Sequence, residues 1–127
     1  MAEKYNRATI QRPKGNRLLD AQVATLDIPS LVKQIKEEPS WRDSDRNAIT
    51  IFKSEDICLV LTALHAGAEM DTADSTHSIQ VLEGRIRIHV EQRSLQLTAQ
   101  QILVLHRSPP SGIAAEEESV LLLTLTN

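Results

Sequence analysis

From residue 48 onward, apolar and polar residues alternate with a period of two. AITIFK, ICLVLTAL, SIQVL, RIRIHV, LQL, ILVL and VLLLTL are β-rich runs of strand length. They are separated by SEDI, HAGAEMDTADST, EG, EQRS, TAQQ and HRSPPSG. Runs of this length bounded by turn residues read as strands. Seven of them in succession with no helix between predict an antiparallel sandwich or barrel. The alternation is cleanest in RIRIHV, where Ile86, Ile88 and Val90 take one face and Arg85, Arg87 and His89 the other.

Upstream the pattern changes. Residues 1 to 26 hold no sustained period, and Pro13, Gly15 and Asn16 break the run, so this part reads as an extended arm in which Ala21 to Leu26 pair as an edge strand. Asp27 is placed to cap a helix, Pro29 suits its first turn, and Leu31, Val32 and Ile35 share a face until Pro39 stops it. The following SWRDSDRN is a polar connection whose one large apolar group, Trp41, is suited to plug a barrel mouth or anchor a subunit contact. Residues 1–47 thus form an arm and short helix packing on a barrel of residues 48–127.

Bulk properties narrow the function. A chain of 127 residues fits one domain, burying about two-thirds of its unfolded surface. With 14 basic and 17 acidic residues and no basic stripe, it offers nucleic acid no footprint. The longest apolar runs are strand-sized and the N-terminus has no apolar leader core, so neither membrane insertion nor export is expected and the cytoplasm is the expected compartment. The lone Cys58, among Ile57, Leu59 and Val60, reads as a buried thiol. Tyr5, Trp41 and Phe52 are the only aromatic residues, which disfavours stacking on sugars or nucleobases.

SIQVLEGRIRI, followed by TAQQILVLHRSPPSGIAAEEESVLLLTL, resembles the cupin family, in particular small single-domain bacterial cupins. The likeness spans roughly residues 48 to 127. Gly84 closes the first motif in a hairpin that needs positive φ. The resemblance implies an all-β jelly-roll barrel, usually dimeric, that often holds a divalent transition metal. The metal motifs are altered. His77 stands where the family has a glutamate, seven residues ahead of Gly84. The histidine pair would fall among Met70, Asp71, Thr72 and Ala73, and the residue after Pro110 is Ser111 instead of histidine. The family's glycine in the second motif is Gln100.

A catalytic metal commonly takes three protein ligands, and one imidazole with a hydroxyl does not supply them. Asp71 and Asp74 are the other donors near His77, yet their segment reads as a solvated turn. No metal or other cofactor is therefore expected, and the cavity positions are His77, Ser111, Thr72, Ile79 and Val81. The resemblance implies that alternate positions 77, 79 and 81 line the barrel interior, with His77 as a neutral hydrogen-bonding group or general base, or as a polar group satisfied by Ser111 or a buried water. His65 reads as a strand-end residue, His106 as a turn residue and His89 as exposed or at a dimer contact. The run Glu116 to Glu118 is a solvated turn, because consecutive side chains on an extended chain diverge. The preferred reading is a non-catalytic, metal-free module that binds a small ligand or assembles as a homodimer. Its rival is a divergent dioxygenase or isomerase with a metal on His77.

Overall fold

A computed structural model describes residues 4–6 and 17–126. Two sheets face one another. The larger has the order β3 (Arg46–Lys53), β4 (Ile57–Leu64), β11 (Ser119–Thr126), β6 (Thr76–Glu83) and β9 (Ile102–Val104). The smaller has the order β5 (Glu69–Asp71), β10 (Gly112–Ala115), β7 (Arg85–Val90) and β8 (Arg93–Thr98). Every pairing is antiparallel. A two-stranded ribbon, β1 (Lys4–Asn6) and β2 (Arg17–Asp20), precedes them. The fold class is thus the antiparallel barrel that the period of two predicts, in the jelly-roll form that the resemblance implies.

All seven expected strands form, with their ends moved by a residue or two; β5 is added within HAGAEMDTADST, and β10 (GIAA) begins at the end of HRSPPSG, ahead of the last run. Both additions are short, at three and four residues, which leaves too little alternation to distinguish a strand from a loop. The edge strand expected at Ala21 to Leu26 is absent; the strand lies earlier, at Arg17–Asp20.

Two cores hold the molecule together. One fills the space between the sheets, with Leu64, Ile79, Val81, Ile86, Ile88, Ile113 and Leu121 all at or below 2 % exposure. The other lies on the outer face of the larger sheet, where Ile35 of α1 (Ile28–Glu37) and Trp41 of α2 (Pro39–Asp43) bury Ile49, Ile51, Leu61, Ala63 and Val120. Both faces of β4 and β11 are therefore apolar, the reason ICLVLTAL and VLLLTL read as nearly unbroken hydrophobic runs.

The helix begins and ends where its capping residues dictate. Asp27 accepts hydrogen bonds from the Ser30 amide at 3.4 Å and the Ser30 hydroxyl at 2.9 Å. Pro39 forces Glu38 out of helical geometry, to φ −77 and ψ 149. The same proline then starts α2 inside the segment expected to be a polar connection, since proline at a first helical position loses no hydrogen bond. Asn47 pins the helix end to the sheet: its side-chain amide donates to Ile35 O at 2.8 Å and to Glu38 Oε1 at 2.9 Å.

Trp41 neither plugs a barrel mouth nor faces outward. It is buried in the outer core and stacks on His65, ring centroids 3.4 Å apart, and the His65 Nε2 donates to the Trp41 carbonyl at 2.7 Å. An indole with apolar helix and sheet surface close at hand is better desolvated there than at an open end.

Candidate functional site: the open end of the barrel

Register places the inward-facing residues in rows along the barrel. In the larger sheet, Leu64 and Ser119 form the first row and Thr62, Leu121 and Val81 the second. Val60, Leu123, Ile79 and Leu103 form the third, and Cys58, Leu125 and Thr76 the fourth. The first two rows are buried. In the third, Val60 and Leu103 are half-buried, and in the fourth so are Cys58 and Leu125. The smaller sheet repeats the trend, from buried Ala115 and Ile86 to half-buried Met70 and Val90. The inward residues are thus less buried toward one end, and the candidate site lies there.

Three hydroxyls occupy that end: Thr72, Thr76 and Ser111, all buried. The Ser111 amide donates to Thr72 Oγ1 at 2.7 Å, and the Thr72 amide donates to Ser111 O at 2.8 Å, which ties the end of β5 to the start of β10. Thr76 Oγ1 accepts from the Ala73 amide at 3.1 Å and closes the turn before β6. Ser111 Oγ, on a residue 1 % exposed, has no hydrogen-bond partner. Buried hydroxyls are rarely left so. Ser111 shares a face with Ile113 and Ala115, both in the inner core, so the group belongs to the barrel interior.

Of the cavity positions expected from the sequence, Thr72, Ser111, Ile79 and Val81 are buried together in the barrel, but His77 is not with them. Leu125 pairs with Thr76 and Thr124 with Ser78, leaving His77 as the extra residue of a β-bulge. The bulge shifts the alternation by one. Thr76 takes the inward position, and the His77 side chain is exposed while its carbonyl accepts from the Leu105 amide at 2.7 Å. Nothing in THSIQVL marks the extra residue, because Thr76 and His77 are both unremarkable at a strand start.

The other expected donors scatter as well. Asp71, paired with Gly112, lies on the outer face of the smaller sheet, opposite in sense to Thr72, and Asp74 is exposed in the turn. His89 and His106 are exposed. Among the described residues no three His, Cys, Asp or Glu side chains converge. The donors at that end are three hydroxyls and the single thiol of Cys58, with no imidazole or carboxylate beside them, a set short of the three strong ligands that a divalent transition metal takes.

The three glutamates after β10 meet cations, with Glu116 and Glu117 sharing Arg85 and Glu118 turned to Lys36. Glu116 faces Arg85 and Arg87, each at 3.6 Å, Glu117 lies 3.4 Å from Arg85, and Glu118 lies 2.9 Å from Lys36 on α1. A hydrogen bond from Gln96 at 2.8 Å, with those two guanidinium groups, holds the Glu116 carboxyl below its usual range. These are links across the surface between elements, with no carboxylate pair among them.

The architecture matches solved structures throughout its barrel. A cupin superfamily protein from Desulfitobacterium hafniense superposes with a TM-score of 0.66 at 14% identity, covering 85% of this chain and 94% of that one. A cupin-2 domain containing protein from Shewanella frigidimarina gives 0.62 at 14% identity, over 81% and 95%. The fold is that of the cupins. A conserved protein of unknown function from Streptococcus pyogenes shares it too, at a TM-score of 0.64 and 18% identity, over 85% and 90%. No protein-family model and no curated protein matches the chain. Gln100, where the resemblance implies a glycine, has a φ of +75°, in the left-handed region that favours glycine. No helix among the described residues is long and apolar enough to cross a membrane.

Proposed function

We propose that this chain is a non-catalytic, metal-free cupin-fold module that binds a small, uncharged, largely aliphatic molecule at the open end of its barrel and works as a cytoplasmic homodimer. The observation that carries this reading is the Ser111 hydroxyl, buried and unpartnered beside Thr72 in an aliphatic interior. A pocket that is mostly apolar with a few fixed polar groups is the usual form of a small-molecule site. One hydroxyl compensates a ligand carbonyl or alcohol; it does not offset the desolvation of a carboxylate or ammonium. Val90, the residue after the His89 that pairs with Gly112, is half-buried and packs against the inner core at the same end. The unpaired Cys58, at the same end, suits a reducing compartment.

The test is chemical-shift mapping with probes of similar size: cyclohexanol and 2-heptanone as neutral compounds, hexanoate and hexylamine as charged ones. The neutral pair should perturb Thr72, Val90 and Ser111, and the perturbation should vanish in Ser111→Val. If no probe touches that end, or the charged pair binds as well, the reading is wrong.

A further inference from the structure

A nucleophilic side chain stands at the less buried end of the barrel. Cys58 is the chain's single cysteine. Its place in β4 puts it on the inward face with Val60, Thr62 and Leu64, half-buried in the row that Leu125 and Thr76 complete. Lys53 pairs with it from β3; directly opposite residues share a face, which brings an ammonium to the rim on the side of the thiol. Ser111 faces the same end from the other sheet. Its Oγ, on a residue 1 % exposed, is without a partner. The hydrogen bonds of Thr72 with Ser111 and of Ala73 with Thr76 tie it to the Cys58 row.

We propose that Cys58 captures an α,β-unsaturated aldehyde or ketone with an aliphatic tail, the Ser111 hydroxyl donating to its carbonyl oxygen while the thiol adds to its conjugated double bond; the inference rests on the ligand site proposed above and names the class of molecule it takes. Two unlike groups on opposite sheets ask for two features in one ligand. A buried hydroxyl without a partner asks for an uncharged acceptor, and a partly exposed thiol in an apolar wall asks for a soft electrophile. Sheets packed face to face lie about 10 Å apart, and with a side chain projecting from each the remaining gap is of the order of a conjugated carbonyl group. In the step, a sulfur electron pair forms a C–S bond to the β-carbon. The double-bond pair moves through the conjugated system onto the carbonyl oxygen, where Ser111 donates to it. The α-carbon then takes a proton from water, replacing the one the thiol released to water, and nothing is oxidised or reduced. Thiols hold enough thiolate at neutral pH for this without a dedicated base. The product is a thioether that stays on the chain, so the capture is stoichiometric, in keeping with a non-catalytic module.

Intact-mass spectrometry of the full chain with 3-hepten-2-one, the unsaturated counterpart of 2-heptanone, tests it. One added probe per chain is expected, formed at least about tenfold faster than the probe's adduct with glutathione at the same pH, since a positioned reactant gains at least that much. Cys58→Ser should take up none. Ser111→Val should slow the addition about tenfold, the worth of a hydrogen bond to developing charge. The same variant should react at the original rate with dithiodipyridine, a thiol reagent that has no carbonyl. Addition no faster than to glutathione, in a chain whose Ser111 still responds to 2-heptanone in the shift mapping, overturns this inference and leaves the ligand site standing. Uptake that persists in Cys58→Ser overturns it as well. A chain that answers to neither ketone overturns both readings. Equal slowing of the two reagents by Ser111→Val makes that hydroxyl structural and overturns the assignment of the carbonyl.

Discussion

Gln100 holds a left-handed backbone at φ +75°, with its amide donating to Val81 O at 2.8 Å. For a residue with a Cβ this conformation costs about 1 kcal/mol or more. Gln100→Gly should therefore raise stability by about 1 kcal/mol, read as a shift of the urea midpoint. Ser111→Ala removes a buried hydroxyl that has no partner, so it should be neutral or slightly stabilising, whereas a satisfied hydroxyl would cost about 1 kcal/mol. His77→Ala should leave stability within about 0.5 kcal/mol, as at other exposed positions. Ile79→Ala, two residues on, should cost about 2 to 5 kcal/mol because Ile79 is fully buried. Residue-level placement was legible for Ile79, Val81, Ile86 and Ile88, whose alternation is unbroken. It failed at His77, where a single extra residue reverses the face without changing composition.

At the scale of elements, the hairpin between β6 and β7 depends on Gly84. Its φ is +89°, and a Cβ there would run into the Glu118 carbonyl and the Ser119 side chain. Gly84→Ala should destabilise the chain by several kcal/mol, more than backbone strain alone, since backbone atoms of the next turn must move. The first helix was readable from Asp27, Pro29 and Pro39 because capping and proline act through their immediate neighbours. β5 and β10 were not readable, since three or four residues are paired only through partners far away in sequence. The outer face of β7 gives a pH prediction. The Glu116 carboxyl is held low, first by Gln96 and then by Arg87 and Arg85. The unfolded chain then binds the proton more readily than the folded one, so the link stabilises at neutral pH and is lost as pH falls through the depressed value. Glu116→Gln should flatten the acid limb of stability against pH below the ordinary glutamate range, measured as urea midpoints; because the group is exposed, the change should be small.

Across the whole molecule, the larger sheet serves two cores at once, and the barrel interior is less buried at one end than at the other. The overall barrel was legible because the period of two runs through seven segments and the longest of them are apolar on both faces. Which end is open was not, since it depends on how the two sheets stack. That end holds buried neutral hydroxyls at Thr72, Thr76 and Ser111 and the half-buried Cys58 thiol, with Asp71 and His77 turned outward. Elemental analysis by mass spectrometry of untagged protein, purified without chelators and then incubated with each candidate metal and desalted, tests this most directly. The predicted result is a metal content near zero per chain, the same for His77→Ala. A ratio near one transition metal per chain, lost on substitution of His77, would contradict it and restore the metalloenzyme.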